Sequence, residues 1–188
     1  MIKKLSISLV AVLNVFCAST YAQSQAGLYL TAHDFSNKKL SHQSKHSHVK
    51  THEVFKKDYI DIICNDSTYT YKKDSVYGYR SKDGIDYRII EGKYYPILNS
   101  GETILIYKWQ ESVGMKGQAP TFSYYFSKDH ISNLHALNLK NLETVFANYK
   151  AYLKILEVHF GDNSDLLEYD RIHKMYKINR LLKLSENE

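Results

Sequence analysis

Between residues 59 and 126, apolar and aromatic residues alternate with polar ones in short runs separated by turn-forming residues. Such alternation is typical of β-strands, whose successive side chains point to opposite faces of a sheet. The runs are Tyr59–Cys64, Thr68–Lys72, Ser75–Ser81, Ile85–Ile90, Tyr94–Leu98, Thr103–Trp109 and Thr121–Phe126. Because turn signals recur about every 8 to 12 residues, the segment predicts an antiparallel β-meander or partial barrel of five to seven strands.

The run that ends at Trp109 is apolar on both of its faces. Leu105, Tyr107 and Trp109 share one face, and Ile104 and Ile106 share the other. We therefore expect this strand to be covered on both sides, by a second layer or by helices.

After residue 135 the spacing of apolar residues changes to the period of an α-helix. Helical spacing runs through 139–160, where Gly161 ends it, and returns from Asp165 to about Leu184. Strands followed by helices predict an α+β fold, with two or three C-terminal helices packed on the sheet. Nearer the start, Thr31 and Asp34 predict a capped helical turn, and the polar stretch 36–52 predicts an exposed loop or edge segment.

The first 22 residues have the composition of a cleavable secretory signal. Lys3 and Lys4 precede an apolar run, Leu5–Phe16, that is shorter than the roughly 20 residues needed to span a bilayer core. Thr20 and Ala22 then place small residues at the −3 and −1 positions of a cleavage site. We expect an exported protein, periplasmic or extracellular, with a single globular domain at 23–188 and no membrane span after cleavage.

Three other fates for this leader stay open. It could form a buried N-terminal helix or remain as an uncleaved anchor. It could also direct lipid attachment at Cys17, although Phe16 stands where lipoprotein processing prefers a small residue.

Several stretches also carry a resemblance to a known family. They are Gly27–Thr31, Lys73–Arg80, Asp83–Gly84 with Tyr87–Arg88, Tyr124–Ser127 and, most distinctive, Tyr169–Asn179. Together they resemble a functionally uncharacterised family of small exported proteins from Gram-negative bacteria. The resemblance implies a shared fold and an exported location, and it implies no activity, cofactor or site residue.

Charge and cysteine content narrow the functional classes. Loss of the leader lowers Lys plus Arg from 25 to 23 against 20 Asp plus Glu, so the net charge falls from +5 to +3. This excess is too small and too dispersed to indicate nucleic-acid binding. Cys64 would be the one cysteine left, so stability must come from the core, and its position beside Ile60 and Ile62 predicts burial. No pattern indicates a cofactor.

Four histidines of equal parity, His42, His46, His48 and His52, are one candidate site. On an extended strand they would lie on one side and could contribute to a Zn²⁺ or Cu²⁺ site. The alternative is a solvated polar segment, because structural zinc spacings are absent.

The candidate ligand-binding residues are Tyr77, Tyr79, Arg80, Tyr87 and Arg88. With a two-residue turn at Asp83–Gly84, Tyr79 would lie opposite Arg88, and Arg80 opposite Tyr87. Guanidinium groups beside aromatic faces suit a sugar or an acidic ligand, but the same pairs would also stabilise the hairpin register.

The sequence supports catalytic residues less well than it supports ligand-binding residues. Asp170 and His173 are three residues apart on the predicted last helix, without an identifiable nucleophile. The carboxylates of a glycan hydrolase would come from Asp74, Asp83, Asp86 and Glu91, which resemble ordinary turn residues. The sequence therefore favours a non-catalytic envelope module that binds a glycan or another envelope protein. A glycan hydrolase and weak metal binding through His42–His52 are the alternatives.

Export of the full-length chain in a Gram-negative host should yield a mature protein that begins at Gln23. Intact mass and N-terminal sequencing of the exported fraction measure this directly. Replacing Ala22 by Phe should leave the precursor uncleaved, because the −1 position requires a small residue. An intact chain, Met1 included, folded and soluble in the cytoplasm would contradict the prediction.

Overall fold

The computed structural model describes residues 25–53, 55–112, 119–161 and 165–186. Within these ranges the chain has an α+β fold, with twelve strands in antiparallel sheets and four α-helices, and the described strands do not close into a barrel. The predicted fold class is therefore confirmed. The predicted leader, with Cys17, lies outside the described residues.

The strands are β1 Gly27–Tyr29, β2 His48–Lys50, β3 Tyr59–Cys64, β4 Ser67–Lys72, β5 Gly78–Arg80, β6 Asp86–Ile90, β7 Lys93–Pro96, β8 Leu105–Ser112, β9 Thr121–Ser127, β10 His135–Ala136, β11 Tyr169–Asp170 and β12 Met175–Tyr176. The α-helices are α1 Ala32–Ser36, α2 Leu139–Val145, α3 Lys150–Phe160 and α4 Lys177–Ser185, and Lys73–Ser75 forms a 3-10 turn. The sheet orders are β1-β5-β6-β7, β2-β3-β4, β10-β9-β8 and β11-β12.

Two tight hairpins follow directly from the turn residues. Asn65 and Asp66 join β3 to β4 with φ values of 48° and 63°, and Glu91 and Gly92 join β6 to β7 with φ values of 50° and 72°. Two consecutive positive φ angles are characteristic of the type I′ turn, whose twist matches that of the flanking strands. Both turns lie where the sequence predicted them.

The first helix is held by the predicted cap. The Thr31 side chain accepts a hydrogen bond from the Asp34 backbone N–H at 3.0 Å, and the Asp34 carboxylate accepts one from the Thr31 backbone N–H at 3.0 Å. This reciprocal capping box is confirmed, and it aims Phe35 into the core.

Strand β8 lies between two apolar layers. Ile104, immediately before it, and Ile106 pack with residues of α2, α3 and α4 on one side. Leu105 and Tyr107 pack on the other side with a cluster that includes Tyr29. The prediction that this strand is covered on both faces is confirmed for its first half, whereas Trp109 is only half-buried.

A buried amide fastens the last helix to this strand. Asn179 in α4, which is only 1% exposed, accepts a hydrogen bond from the Ile104 N–H at 2.7 Å and donates one to the Ile104 carbonyl at 2.9 Å. Both backbone groups of Ile104 are thus satisfied by one side chain, which sets the position of α4 against the sheet.

The predicted meander is divided among separate sheets. Strands β3 and β4 form one sheet with β2, strands β5 to β7 form a second with β1, and strands β8 and β9 form a third with β10. An isolated bridge between Ile97 and Tyr107 connects β7 to β8. The 3-10 turn at Lys73–Ser75 separates β4 from β5 and ends the simple succession of hairpins.

The predicted helix from Asp165 to Leu184 is wrong in its first half. Strands β11 and β12 form a short hairpin there, and α4 begins only at Lys177. The Asp170 carboxylate accepts hydrogen bonds from the backbone N–H groups of Ile172 and His173, both at 2.9 Å. Aspartate thereby offers the backbone an alternative to helical hydrogen bonding, which outweighs the apolar periodicity.

Replacing Gly78 by Ala should strongly destabilise the fold. An added Cβ would lie 2.0 Å from the Tyr87 carbonyl oxygen, so β5 and β6 would have to separate. We expect a loss of about 3 kcal/mol or more in the free energy of unfolding, measured by denaturant titration. Gly101→Ala is the matched control, because its Cβ would have nothing within 4 Å. Equal stability of the two variants would contradict this packing.

Candidate functional site

The hairpin that carries the five predicted ligand-binding residues has a different register from the one predicted. Tyr79 pairs with Tyr87, Arg80 with Asp86 and Gly78 with Arg88. The predicted pairs, Tyr79 with Arg88 and Arg80 with Tyr87, are therefore wrong by one residue.

The reason lies in the connecting loop, which has five residues, 81–85, rather than two. Within it the Ser81 N–H donates to the Ile85 carbonyl at 2.9 Å, and the Gly84 N–H donates to the Ser81 carbonyl at 3.1 Å. Gly84 has a φ of 80°, so the glycine is still needed, but inside a longer loop. A one-residue change in register moves each partner to the other face of the sheet.

The five residues consequently fall into three separate arrangements. Tyr79 and Tyr87 stack with ring centroids 4.6 Å apart and an interplanar angle of 1°. The Arg88 guanidinium instead lies 5.2 Å from the centroid of the Tyr77 ring, and Arg80 pairs with an acid. They do not form one aromatic and cationic surface, and their role in ligand binding stays a prediction.

Arg80 belongs to a buried ion-pair cluster around Asp86. Its Nε and Nη2 donate to the two Asp86 carboxylate oxygens at 2.8 and 2.9 Å. The Tyr29 hydroxyl donates to the same carboxylate at 2.8 Å, and Lys38 Nζ lies 3.6 Å from it. Burial alone would raise the pKa of Asp86, but hydrogen bonds from Arg80, Ser100 and Tyr29 hold that pKa below its ordinary value.

Arg88 is buried and used within the protein. Its guanidinium donates to the carbonyl of Ser132 at 2.9 Å, to the carbonyl of Ile131 at 3.4 Å and to the Tyr107 hydroxyl at 3.2 Å. These bonds hold the loop between β9 and β10 against the β6 strand. Arg88 is therefore a structural cation in this arrangement.

The four histidines of the proposed metal tract do not share a strand face. Only His48 lies in β2, while His42 and His52 have φ values of 55° and 53°. His42 Nε2 lies 2.6 Å from the Tyr71 hydroxyl, and His52 Nε2 lies 2.7 Å from an Asp61 carboxylate oxygen. The prediction of a shared strand face is wrong because positive φ angles interrupt the strand. Among the described residues no group of three His, Cys, Asp or Glu side chains could hold a metal ion.

Asp170 and His173 do meet, with 3.0 Å between the carboxylate oxygen and Nδ1, but in the β11–β12 hairpin loop rather than on a helix. The Arg180 guanidinium also pairs with Asp170. Hydrogen bonds from His173 and Arg180 lower the pKa of Asp170, the backbone bond from His173 contributing most. Cys64 is buried as predicted.

A cleft of about 1200 Å³ opens where the end of β4, the β6–β7 turn and the outer half of β8 come together. Its chemistry is mixed: six lysines, five carboxylates and three aromatic rings. The lysines are Lys56, Lys57, Lys72, Lys73, Lys93 and Lys108; the acids are Glu53, Asp58, Asp74, Glu91 and Glu111; the rings are Tyr94, Trp109 and Phe122. This cleft is the candidate functional site.

The three rings of the cleft each have a lysine ammonium beside them. Lys108 Nζ lies 3.7 Å from the centroid of Phe122, Lys73 Nζ 4.7 Å from that of Tyr94, and Lys93 Nζ 5.5 Å from the Trp109 ring. Such contacts are worth about 0.5–1 kcal/mol at exposed positions. They place cationic groups and flat apolar faces within one concave surface.

Tyr94 also connects the cleft to the loop before it. Its hydroxyl donates to the Thr51 carbonyl at 2.6 Å, which ties the loop that carries Glu53 and Lys56 to β7. Burial raises the pKa of Tyr94, and the negative charge of Glu53 raises it further. The phenol is therefore neutral at physiological pH and acts as a hydrogen-bond donor.

Two of the four carboxylates considered for hydrolysis line the cleft. These are Asp74, in the 3-10 turn, and Glu91, in the β6–β7 turn. Asp86 is buried in its ion pair, and Asp83 is exposed in the β5–β6 loop. The structure therefore brings two of these acids to the cleft and leaves the other two outside its lining.

Sequence reasoning missed the cleft, since its lining comes from segments widely separated along the chain. Trp109, the single tryptophan, was assigned to a strand face that we expected to be covered, whereas it is partly exposed beside Lys93. The position of Trp109 at the outer end of an apolar strand is the one feature of the sequence that could have indicated the cleft.

Comparison of the chain with family models, curated proteins and solved structures finds no match. Membership of the exported Gram-negative family therefore stays a prediction. In the described ranges, no helix combines the length and apolar character that crossing a membrane requires.

Asp86→Asn should lower the free energy of unfolding at pH 7 by about 3 kcal/mol, because it removes one partner of a buried ion pair. Since the folded-state pKa of Asp86 is lowered, its contribution is present above the unfolded value of about 3.9 and is lost as the pH falls through the folded value. The difference between the native protein and the variant should therefore shrink below pH of about 4.

Denaturant titrations at a series of pH values test this expectation. Asp83→Asn is the control, because it removes an exposed carboxylate of the same hairpin and should change stability by less than about 0.5 kcal/mol. Equal losses for the two variants at pH 7 would show that the cluster does not stabilise the fold.

Proposed function

We propose that this chain is an exported, non-catalytic binding protein of the cell envelope, and that its cleft holds an acidic carbohydrate. The observation that supports this most is the combination of lysine ammonium groups with the faces of Trp109, Tyr94 and Phe122 in one concave surface. Sugar rings present flat C–H faces that pack on aromatic rings, while ammonium groups pair with their carboxylates or phosphates.

The size of the cleft favours several linked sugar units over a small metabolite. Its volume of about 1200 Å³ exceeds the range of about 300–1,000 Å³ typical of small-molecule pockets. A concave aromatic surface also favours a glycan over a protein partner, for which a flat exposed aromatic patch would be expected.

The balance of charge in the cleft favours a ligand with widely spaced negative charges. Five carboxylates stand among the six lysines, so a polymer with one charge on every unit would meet repulsion as well as attraction. Nucleic acid carries such a dense charge, and its recognition normally relies on clustered basic side chains. Acidic sugars interspersed with neutral ones match the arrangement better.

A glycan hydrolase is the alternative, supported by the presence of both Asp74 and Glu91 in the cleft. Glycoside hydrolysis uses two carboxylates on either side of the scissile bond. The distinction is experimental: turnover of a bound glycan that Asp74→Asn and Glu91→Gln both abolish would replace binding with catalysis.

The mature protein should bind acidic oligosaccharides in preference to neutral ones of the same backbone. A glycan array that carries uronate, sialate and phosphate oligosaccharides beside neutral counterparts identifies the ligand, and calorimetry measures its affinity. Trp109→Ala should weaken that affinity about tenfold by removing the largest stacking face.

Tyr69→Ala is the matched control, because it removes an exposed ring of β4 that does not line the cleft, and it should leave affinity unchanged. Thermal unfolding of both variants separates loss of binding from loss of fold. An array on which acidic glycans bind no better than neutral ones would refute the proposal.

A further inference from the structure

Lys73 differs from the other lysines of the cleft in its burial. It is 7% exposed, whereas Lys56, Lys57, Lys72 and Lys93 are exposed and Lys108 is half-buried. Its position is set by the 3-10 turn after β4, where its backbone N–H donates to the Asp58 carbonyl at 2.8 Å. The cleft therefore has one lysine side chain within its wall and five nearer to solvent.

The direct contacts of this ammonium group are with neutral groups. It lies 4.7 Å from the Tyr94 ring centroid and donates one long hydrogen bond, 3.4 Å, to the Gly92 carbonyl. Asp74 and Glu91 line the same cleft, yet within the described ranges Lys73 forms no ion pair with either of them or with any other carboxylate.

A nearly buried lysine whose ammonium group has no ion-pair partner is energetically unfavourable unless a ligand supplies the missing hydrogen-bond acceptors. Removing the group from water is costly, and a single long bond to a neutral carbonyl recovers little of that cost. An ammonium group has three donors, so two of them remain for a partner that enters through the cleft. The partner that best completes it is an oxyanion.

We propose that Lys73 is the anion subsite of the cleft, which takes one carboxylate or phosphate group of the ligand. This inference rests on the proposed function for the identity of the larger ligand. The exposed lysines contribute only weak, solvent-screened attraction, while Lys73 provides a directed, charge-assisted bond in a partly desolvated site. Tyr94 and Gly92 position its side chain, and the adjacent aromatic rings contact the sugar that carries the anion.

Lys73→Met and Lys72→Met form a matched pair of variants. They are sequence neighbours, both line the cleft, and both lose one positive charge, but only Lys73 is buried. Calorimetric affinity for the acidic glycan identified on the array should fall at least about tenfold for Lys73→Met, the loss expected for a charge-assisted hydrogen bond. For Lys72→Met it should fall by about twofold or less.

A second measurement uses small anions and depends on no glycan, and its first part needs only the native protein. Titration of the isotope-labelled native protein with inorganic phosphate and, separately, with acetate should shift the backbone amide resonances of Lys73 and Gly92. A larger response to phosphate identifies a phosphate-bearing ligand, and a larger response to acetate a uronate; Lys72→Met should retain these shifts and Lys73→Met should lose them.

The outcomes separate this inference from the proposed function. Equal losses of glycan affinity in the two variants would overturn the subsite and leave glycan binding intact. Absence of glycan binding by the native protein, with anion shifts that depend on Lys73, would overturn the proposed function and support the subsite. Absence of anion shifts at Lys73 and Gly92 would refute the subsite whatever the glycan result.

Discussion

The burial of β8 on both faces is the constraint on which the rest of the structure depends. Over its first half the strand is fully enclosed, with Leu105, Ile106 and Tyr107 each no more than 2% exposed. Helices cover one face of the strand, and a cluster that includes Tyr29 of β1 and Phe35 of α1 covers the other. The strand therefore joins both halves of the fold. A strand covered on both sides has little freedom to shift, because close-packed interiors resist displacement.

The same strand leaves the core in its second half, and the cleft begins there. Lys108 and Trp109 are half-buried, and Gln110 and Glu111 are exposed. The β6–β7 turn and the 3-10 turn after β4 lie at this open end and bring Glu91, Gly92 and Lys73 alongside. A rigid strand thus supports a polar, partly desolvated site, which is the usual arrangement for selective binding.

The buried charged residues beside the two hairpins of the first sheet, Asp86 and Lys73, have different partners. In the β5–β6 hairpin, Asp86 is satisfied by Arg80 and Tyr29, so its carboxylate stabilises the fold and has little left to offer a ligand. Beside the β6–β7 hairpin, Lys73 is buried to a similar degree, but its ammonium group contacts a neutral carbonyl and a neutral ring and forms no ion pair within the described ranges. The Asp86 pair is complete within the fold, whereas the Lys73 ammonium group still has donors available to a group that enters the cleft.

The sequence by itself determined the strands between residues 59 and 126, the positions of two tight turns, the cap at Thr31, the change to helical period and the burial of the first half of β8 on both faces. These features depend on residues close together in the chain, or on one strand's own pattern of side chains. At Asp170 the hydrogen bonds of the turn outweighed the apolar periodicity, which predicted the wrong element. Around Gly84 the predicted two-residue turn is a five-residue loop, so the predicted register was wrong by one residue.

Only the tertiary structure decided the cleft and the state of its charges. Its lining comes from segments near residues 53–58, 72–74, 91–96, 108–111 and 122, which no local pattern relates to one another. Whether a lysine is solvated or buried without a counterion depends on the packing of three sheets around it, and that packing is a property of the whole chain.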